Sequence, residues 1–305
     1  MGVGEIKTKD FGNPRRNRFA RTSRHFVRLT NPMTNSNQPL LQNRINRIVE
    51  DFEEEFADGQ ATVFVHVRPV RPVIQDGPQC GLVALHMAAD LICHPSVPVP
   101  VIFQGAKSMG FTNHGEMFSV QWLSALATQV YPTCPVEVVE AGVVDRWSSF
   151  IVRTLLANKC LLIPYDTDKN HEPCLNNGHS AHWALITGFV LIDTAPTPRQ
   201  CPCLRSNTDR ENSFQLHILP DCPEDRHSSV VSEIVSRADN IDARLHVIGL
   251  HGKSKHAAVW SLERLVASNS NLRELGAKRV NDQLAYIVPD EGLTASLCGR
   301  VLVLG

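Results

Sequence analysis

Along the chain, apolar positions recur at intervals of three and four in the first half and gather into short runs in the second. Leu41, Ile45, Ile48, Val49, Phe52 and Phe56 fall on one face of a helix over 40–56, with Glu50, Asp51, Glu53, Glu54 and Glu55 largely outward. Residues 61–67 read as a strand that leads into the proline-rich RPVRPV. Helical periodicity follows over 97–109, 116–130 and 145–158, with a short strand at 136–140. Strands are then expected at 160–165, 182–192, 244–250, 284–288 and 300–304, and a helix over 260–272. Helices first and strands later predict an α+β layout. The stretch 193–233 interrupts the strand half with prolines, cysteines and charges and reads as a long surface insertion.

Between the proline-rich approach and the first central helix lies Gln75 to Leu85, QDGPQCGLVAL. Asp76, Gly77 and Pro78 disfavour a regular helix, whereas Leu82, Val83, Leu85 and Ala89 follow at helical spacing. Cys80 is therefore expected at a helix N-terminus, where unpaired N–H groups and the helix dipole favour a thiolate and draw its pKa down. Gln75 is placed to turn its side-chain amide towards an oxyanion, with the Cys80 backbone N–H as second donor. A thiol nucleophile needs a base. His182 opens the apolar run Trp183 to Ile192 and would project from a central strand about 100 residues after the cysteine, the papain-type order; His179, in the preceding loop, is its rival.

The chain has 305 residues, 43% hydrophobic and 20% charged, which suffices for one substantial core, and a net charge of −1 gives no general bias towards nucleic acid or membrane. No apolar run is long enough for a membrane span, and no secretory signal is apparent. Nine cysteines, an odd number spread over a long chain, favour reduced thiols and a cytoplasmic protein. Cys201, Cys203, Cys222, His217 and His227 lack the paired spacing of a zinc site, so no metal or other cofactor is expected. Residues 1–38, rich in arginine, read as a disordered basic arm, residues 39–60 as an amphipathic helical extension, and 61–305 as one catalytic domain.

QDGPQCGLVAL, IPYDTDKNHEPC, GHSAHWALITG, HGKSKHAAVW and the C-terminal LCGRVLVL, in this order, resemble the actin maturation protease family over about 63–305. The resemblance implies a papain-like cysteine peptidase fold, similar to bacteriocin-processing peptidases, with a helical half carrying the cysteine and an antiparallel sheet carrying the histidine. It implies a thiol aminopeptidase of the cytosol, a hydrolase that removes the acetylated first residue, acetyl-Met or acetyl-Cys, from immature actin. The family's nucleophile falls on Cys80, its oxyanion-side glutamine on Gln75 and its histidine on His182. Where related folds place an Asp or Asn to orient the imidazole, the chain instead has His251 after a strand; Asp166 and Asp193 are the alternatives. Lys253, Lys255 and Lys169 are candidates for attracting the acidic residues that follow in actin, and His171 and Glu172 for shaping the mouth of the site. Solvated lysines and loop bracing are the alternative readings. The proline-rich N-terminus by which better-known members suit profilin is absent, so profilin binding is not carried over. In the expected mechanism Cys80 and His182 form a thiolate–imidazolium pair. The competing readings are a thiol peptidase of another substrate class, such as a deubiquitinase-like enzyme, and a non-catalytic actin-binding module.

Overall fold

In the computed structural model, residues 38–55, 61–144, 146–193, 214–219, 228–239, 244–280 and 285–305 are described. Residues 1–37 of the expected basic arm therefore lie outside the described residues, as do Cys201, Cys203, Cys222 and His227, while residue 38 opens the first helix. The helices are α1 (Gln38–Glu55), α2 (Cys80–Ala88), α3 (Val99–Ser108), α4 (Val120–Val130), α5 (Trp147–Leu156), α6 (Ser228–Ala238), α7 (Leu262–Asn269), α8 (Ala277–Val280) and α9 (Gly292–Ser296). The strands are β1 (Ala61–Val67), β2 (Val136–Glu140), β3 (Cys160–Asp166), β4 (Ala181–Asp193), β5 (Phe214–Ile218), β6 (Arg244–Leu250), β7 (Ala258–Ser261) and β8 (Arg300–Leu304). Helices cover both faces of one sheet, so the α+β expectation holds.

The sheet runs β2-β8-β3-β4-β1-β5, with β6 and β7 attached through β4. Its pairings are antiparallel except for β1 with β5, which is parallel, so the sheet is mixed rather than antiparallel throughout. β4 is the central strand. One of its edges pairs with β3 over 181–186 and then with β1 over 188–193, while the other pairs with β6. A bulge between Ile186 and Gly188 accompanies the handover, and the Arg68 N–H bridges it by donating to the Thr187 carbonyl at 2.9 Å. The bulge also resets which residues face which layer. Ala184 and Ile186 join the cluster under α5, α6 and α7, and beyond the bulge Phe189 and Leu191 join that same cluster. Without the bulge, regular alternation through the same residues would turn these two towards the opposite face. Gly188 is required there, because a Cβ would strike the His66 carbonyl oxygen.

On the opposite face, α2, α3 and α4 bury Leu82, Leu85, Ile102, Leu123 and Leu126 against Trp183 and Leu185. The amphipathic N-terminal helix packs as its periodicity predicts, with Leu41, Ile45, Val49 and Phe52 buried against Val63, Val65, Val190 and Ile192. Two parts of the stretch read as a surface insertion are built into the fold: β5 extends the sheet, and α6 buries Val230, Ile234 and Ala238. The expected strand over 284–288 is not formed in its described part, 285–288. There the Ile287 N–H donates to the Glu116 carboxylate and the Ala285 carbonyl accepts from the Asn113 amide, so side chains take the groups a ladder would use. The expected helix over 260–272 is preceded by the short strand β7 and occupies only 262–269.

Candidate active site

Cys80 is the first residue of α2. The preceding turn contains Gly77 at φ +58, a left-handed conformation suited to glycine, and Gln79 at the helix start makes no side-chain cap. The first N–H groups of the helix are thus left for the sulfur and whatever binds there. The helix lies close on β4 because residue 81 is glycine: a Cβ would come within 2.9 Å of the Met117 Cβ and 3.2 Å of the Trp183 ring. This approach lets the backbone N–H groups of Trp183 and Gly81 face the Cys80 sulfur. Cys80 is 8% exposed. Burial pushes its thiol above the ordinary value of 9.0, against the opposing pull of Arg279, those two N–H groups and Lys253. The helix N-terminus acts in the expected direction, but desolvation of the thiolate outweighs it.

His182, opposite Tyr165 in the β3–β4 register, is 5% exposed, and its Nε2 has no partner. Its ring stands edge-on to Tyr165 at 5.8 Å between centroids, with His251 at 5.9 Å and His171 at 6.3 Å; His171 and His251 are 5.2 Å apart. Trp260 backs His251 at 5.9 Å, and the Tyr165 hydroxyl donates to the His171 carbonyl at 3.2 Å. Burial, followed by the charges of His251, Lys253, His171 and Arg279, drives the His182 pKa well below 6.5. Burial also lowers His251, to about 4. Both shifts run against the expected ion pair: burial favours the thiol at Cys80 and the neutral imidazole at His182.

Gln75 is fixed at both ends. Its N–H donates to the Gly252 carbonyl at 2.8 Å and its side-chain amide donates to the Gly77 carbonyl at 2.6 Å, while its Oε1 is buried without a partner. Glycine at 252 allows this contact, since a Cβ there would lie 2.8 Å from that oxygen. The turn before Cys80 and the loop after β6 are thereby joined, and His251 enters the site from the same loop.

The other candidates separate clearly. Asp166 is fully buried, but its carboxylate accepts from the N–H groups of Asn176, Gly178 and Ser180 at 2.7, 2.9 and 3.0 Å. It organises the loop before β4 instead of meeting the His182 ring. Asp193 lies at the opposite end of β4, paired with Arg237 at 2.8 Å, too far along the strand to orient His182. Of the lysines, exposed Lys253 acts electrostatically on both Cys80 and His182, and Lys169 and Lys255 are exposed. Glu172 is half-buried with its pKa raised by burial, and its N–H donates to Asp168. His179 pairs with Glu274 at 3.0 Å and belongs to the bracing of its loop. Arg279 on α8 is the charged residue that sequence reasoning did not single out.

Because the thiol is raised and the imidazole lowered, the pair keeps a single proton over a wide range. We expect kcat/KM to stay level from about pH 6.5 to 9 and to fall only outside that window, on the acid side as His182 gains a proton and on the alkaline side as Cys80 loses one. Alkylation of Cys80 by iodoacetamide should keep climbing through pH 9. A rate already maximal near pH 5 would reveal a preformed ion pair. Folding stability has its own acid limb: the unfolded chain takes up protons near 6.5, before buried His182, His246 and His251 do so in the folded state. Stability is thus full above that pH and is lost as pH falls towards about 4, which urea midpoints across the range would record.

A cysteine at an uncapped helix start, with the Trp183 N–H at its sulfur, and a histidine one residue earlier on the central strand of a mixed α+β sheet form a candidate thiol–imidazole centre at one buried end of that sheet. Among the described residues no group of His, Cys, Asp and Glu side chains is arranged to hold a metal ion. Residues 70–190 match the family model described as actin maturation protease-like, C-terminal domain. The chain is 36% identical over 236 residues to the Actin maturation protease of Danio rerio, covering 77% of this chain and 72% of that relative. It is 35% identical over 240 residues to that of Homo sapiens, covering 76% and 63%, and 34% identical over 261 residues to that of Xenopus tropicalis, covering 85% and 79%. The chain thus spans somewhat under two thirds of the human relative's length. It belongs to the actin maturation protease family.

Proposed function

We propose that this chain is a papain-like cysteine peptidase that removes the acetylated first residue, acetyl-Met or acetyl-Cys, from immature actin. What supports this reading is that the Cys80 sulfur has two backbone N–H groups facing it, one of them from Trp183, the residue after His182, whose own buried Nε2 is left without a partner. In this reading residues 61–305 form the catalytic domain and α1 braces it. A nucleophile that must stay reduced fits a cytosolic location.

His182 Nε2 takes the Cys80 proton as the sulfur attacks the carbonyl carbon of the first residue, forming a C–S bond and an oxyanion. The Cys80 N–H and the second amide hydrogen of Gln75 hold that oxygen, each donor typically worth about 3 to 4 kcal/mol in the transition state. His182 then gives its proton to the departing amine. Water, deprotonated by His182, cleaves the thioester and releases the acetyl amino acid. An acetylated terminus has no ammonium to anchor, which suits a thiol whose charged neighbours, Arg279 and Lys253, are both cations. His251 is the positioning residue we favour for the imidazole, because it touches that ring and its buried Nδ1 has no partner.

The test is mass spectrometry of acetylated actin N-terminal peptide and of full-length immature actin after incubation with the protein. Loss of the acetylated first residue from both supports the reading. If both stay intact while ubiquitin conjugates or other amides are cut, the substrate assignment falls.

A further inference from the structure

α8 is only one turn long, yet it is tied down on both sides. The loop organised by Asp166 holds the segment before it: the N–H groups of Arg273 and Glu274 both donate to the Asn177 carbonyl at 2.9 Å. Gly276 then packs so closely on His179 that a Cβ would lie 2.8 Å from the His179 carbonyl oxygen. Beyond α8, Glu116 accepts from the Ile287 N–H at 2.9 Å. Arg279 is presented from this clamped turn. Its Nη2 donates to the Ala181 carbonyl at 3.0 Å, one residue before His182, and its guanidinium lies over the Phe118 ring at 5.4 Å. Its Nη1 is buried and has no partner.

Arg44, Arg146 and Arg264 also bond backbone carbonyls, but none of them has a guanidinium nitrogen buried without a partner. Arg237 is paired with both Asp193 and Glu233, and Arg300 with Glu140, whereas no carboxylate among the described residues pairs with Arg279. A buried guanidinium nitrogen without a protein acceptor is costly, and the natural complement of its planar fork is a carboxylate. Lys253 is no substitute, since its exposed ammonium remains solvated and lacks the fork. Gln75 is tied to the 251–253 loop, whereas Arg279 is anchored at Ala181 and Phe118 and is a separate element of the site.

We propose that Arg279 is a specificity-determining residue that receives, on its free Nη1, the side-chain carboxylate of a substrate residue flanking the bond to be cut. The inference rests on the peptidase reading for the place of the scissile bond, and it restricts the substrates to peptides acidic at that point. Neutral isosteres leave Nη1 unpaired and are selected against.

The experiment compares acetyl-Met-Asp-Ala-Ala-Ala-amide with its Asn counterpart, using the full chain and its R279Q and R279K forms. The wild-type protein should favour the Asp peptide by about 10- to 100-fold in kcat/KM, as expected for hydrogen bonds between charged groups. In R279Q the Asp/Asn ratio should collapse towards one, and R279K should keep only part of it. Because Arg279 also acts on the thiol, activity on both peptides will drop; the ratio isolates the carboxylate. A wild-type ratio near one, or a ratio unchanged in both variants, overturns the proposal. Binding of the two peptides to Cys80→Ala protein, read by fluorescence anisotropy of labelled peptide, separates this from failure of the peptidase reading. If neither peptide is cleaved but the Asp form binds at least tenfold more tightly and R279K narrows that gap, Arg279 stands as a carboxylate receptor; equal binding overturns it. Should R279Q not fold, R279K and the wild-type ratio decide the matter alone.

Discussion

Cys80→Ala protein is expected to fold normally and to release the acetylated first residue some four to six orders of magnitude more slowly than wild type, as found when the nucleophile of a coupled catalytic unit is removed. The fold should survive because Cys80 is small and sits at the first position of α2, with Leu82, Val83 and Leu85 carrying the burial of that helix. Removing one buried sulfur should cost on the order of 1 kcal/mol, and the urea midpoint should move little. A Cys80→Ala protein that keeps more than about a hundredth of the activity would mean that another group makes the covalent bond or that water attacks directly, either of which defeats nucleophilic catalysis here.

Nearly as large a loss is expected from His182→Gln. Glutamine retains polar bulk beside Tyr165 but cannot shuttle a proton, so kcat should fall by about 10³ to 10⁴ with KM nearly unchanged. The double variant Cys80→Ala/His182→Gln should then be no slower than Cys80→Ala alone, because the two residues act as one unit. A multiplicative loss would place His182 outside the proton path. His251→Gln provides the graded comparison. As a positioning residue it should lower kcat by about 10- to 100-fold and alter the acid limb of the pH profile, which a merely structural contact would leave in place.

The parts of this site that could be read from the sequence are those fixed by local chemistry. Asp-Gly-Pro before an apolar helical run announces a helix start at Cys80, and the apolar run after His182 announces a buried strand; both elements form where expected. What escaped depends on distant chain segments meeting. The thiol's raised pKa follows from burial against β4, and no property of residues 75–85 reports that burial. Arg279 is one arginine among many in the sequence. Its importance comes from Ala181 and Phe118, which lie 98 and 161 positions away along the chain. Asp166 looked like a carboxylate available to the imidazole because its three backbone donors come from a loop whose path the sequence does not show. The apolar run at 284–288 suggested a strand for the same kind of reason: Glu116 and Asn113, far upstream, take the backbone groups.

β4 is a single strand of 13 residues, at about 3.3 Å per residue some 40 Å from end to end. The thiol–imidazole centre occupies its first residues, and the run that separates it from β5 leaves from its last. The run is thus joined to the sheet at Asp193 and Phe214, at the end remote from Cys80. The same separation offers an engineering port: a fluorescent reporter spliced between Asp193 and Phe214 would be covalently part of the protein, yet attached at the end of the strand remote from Cys80.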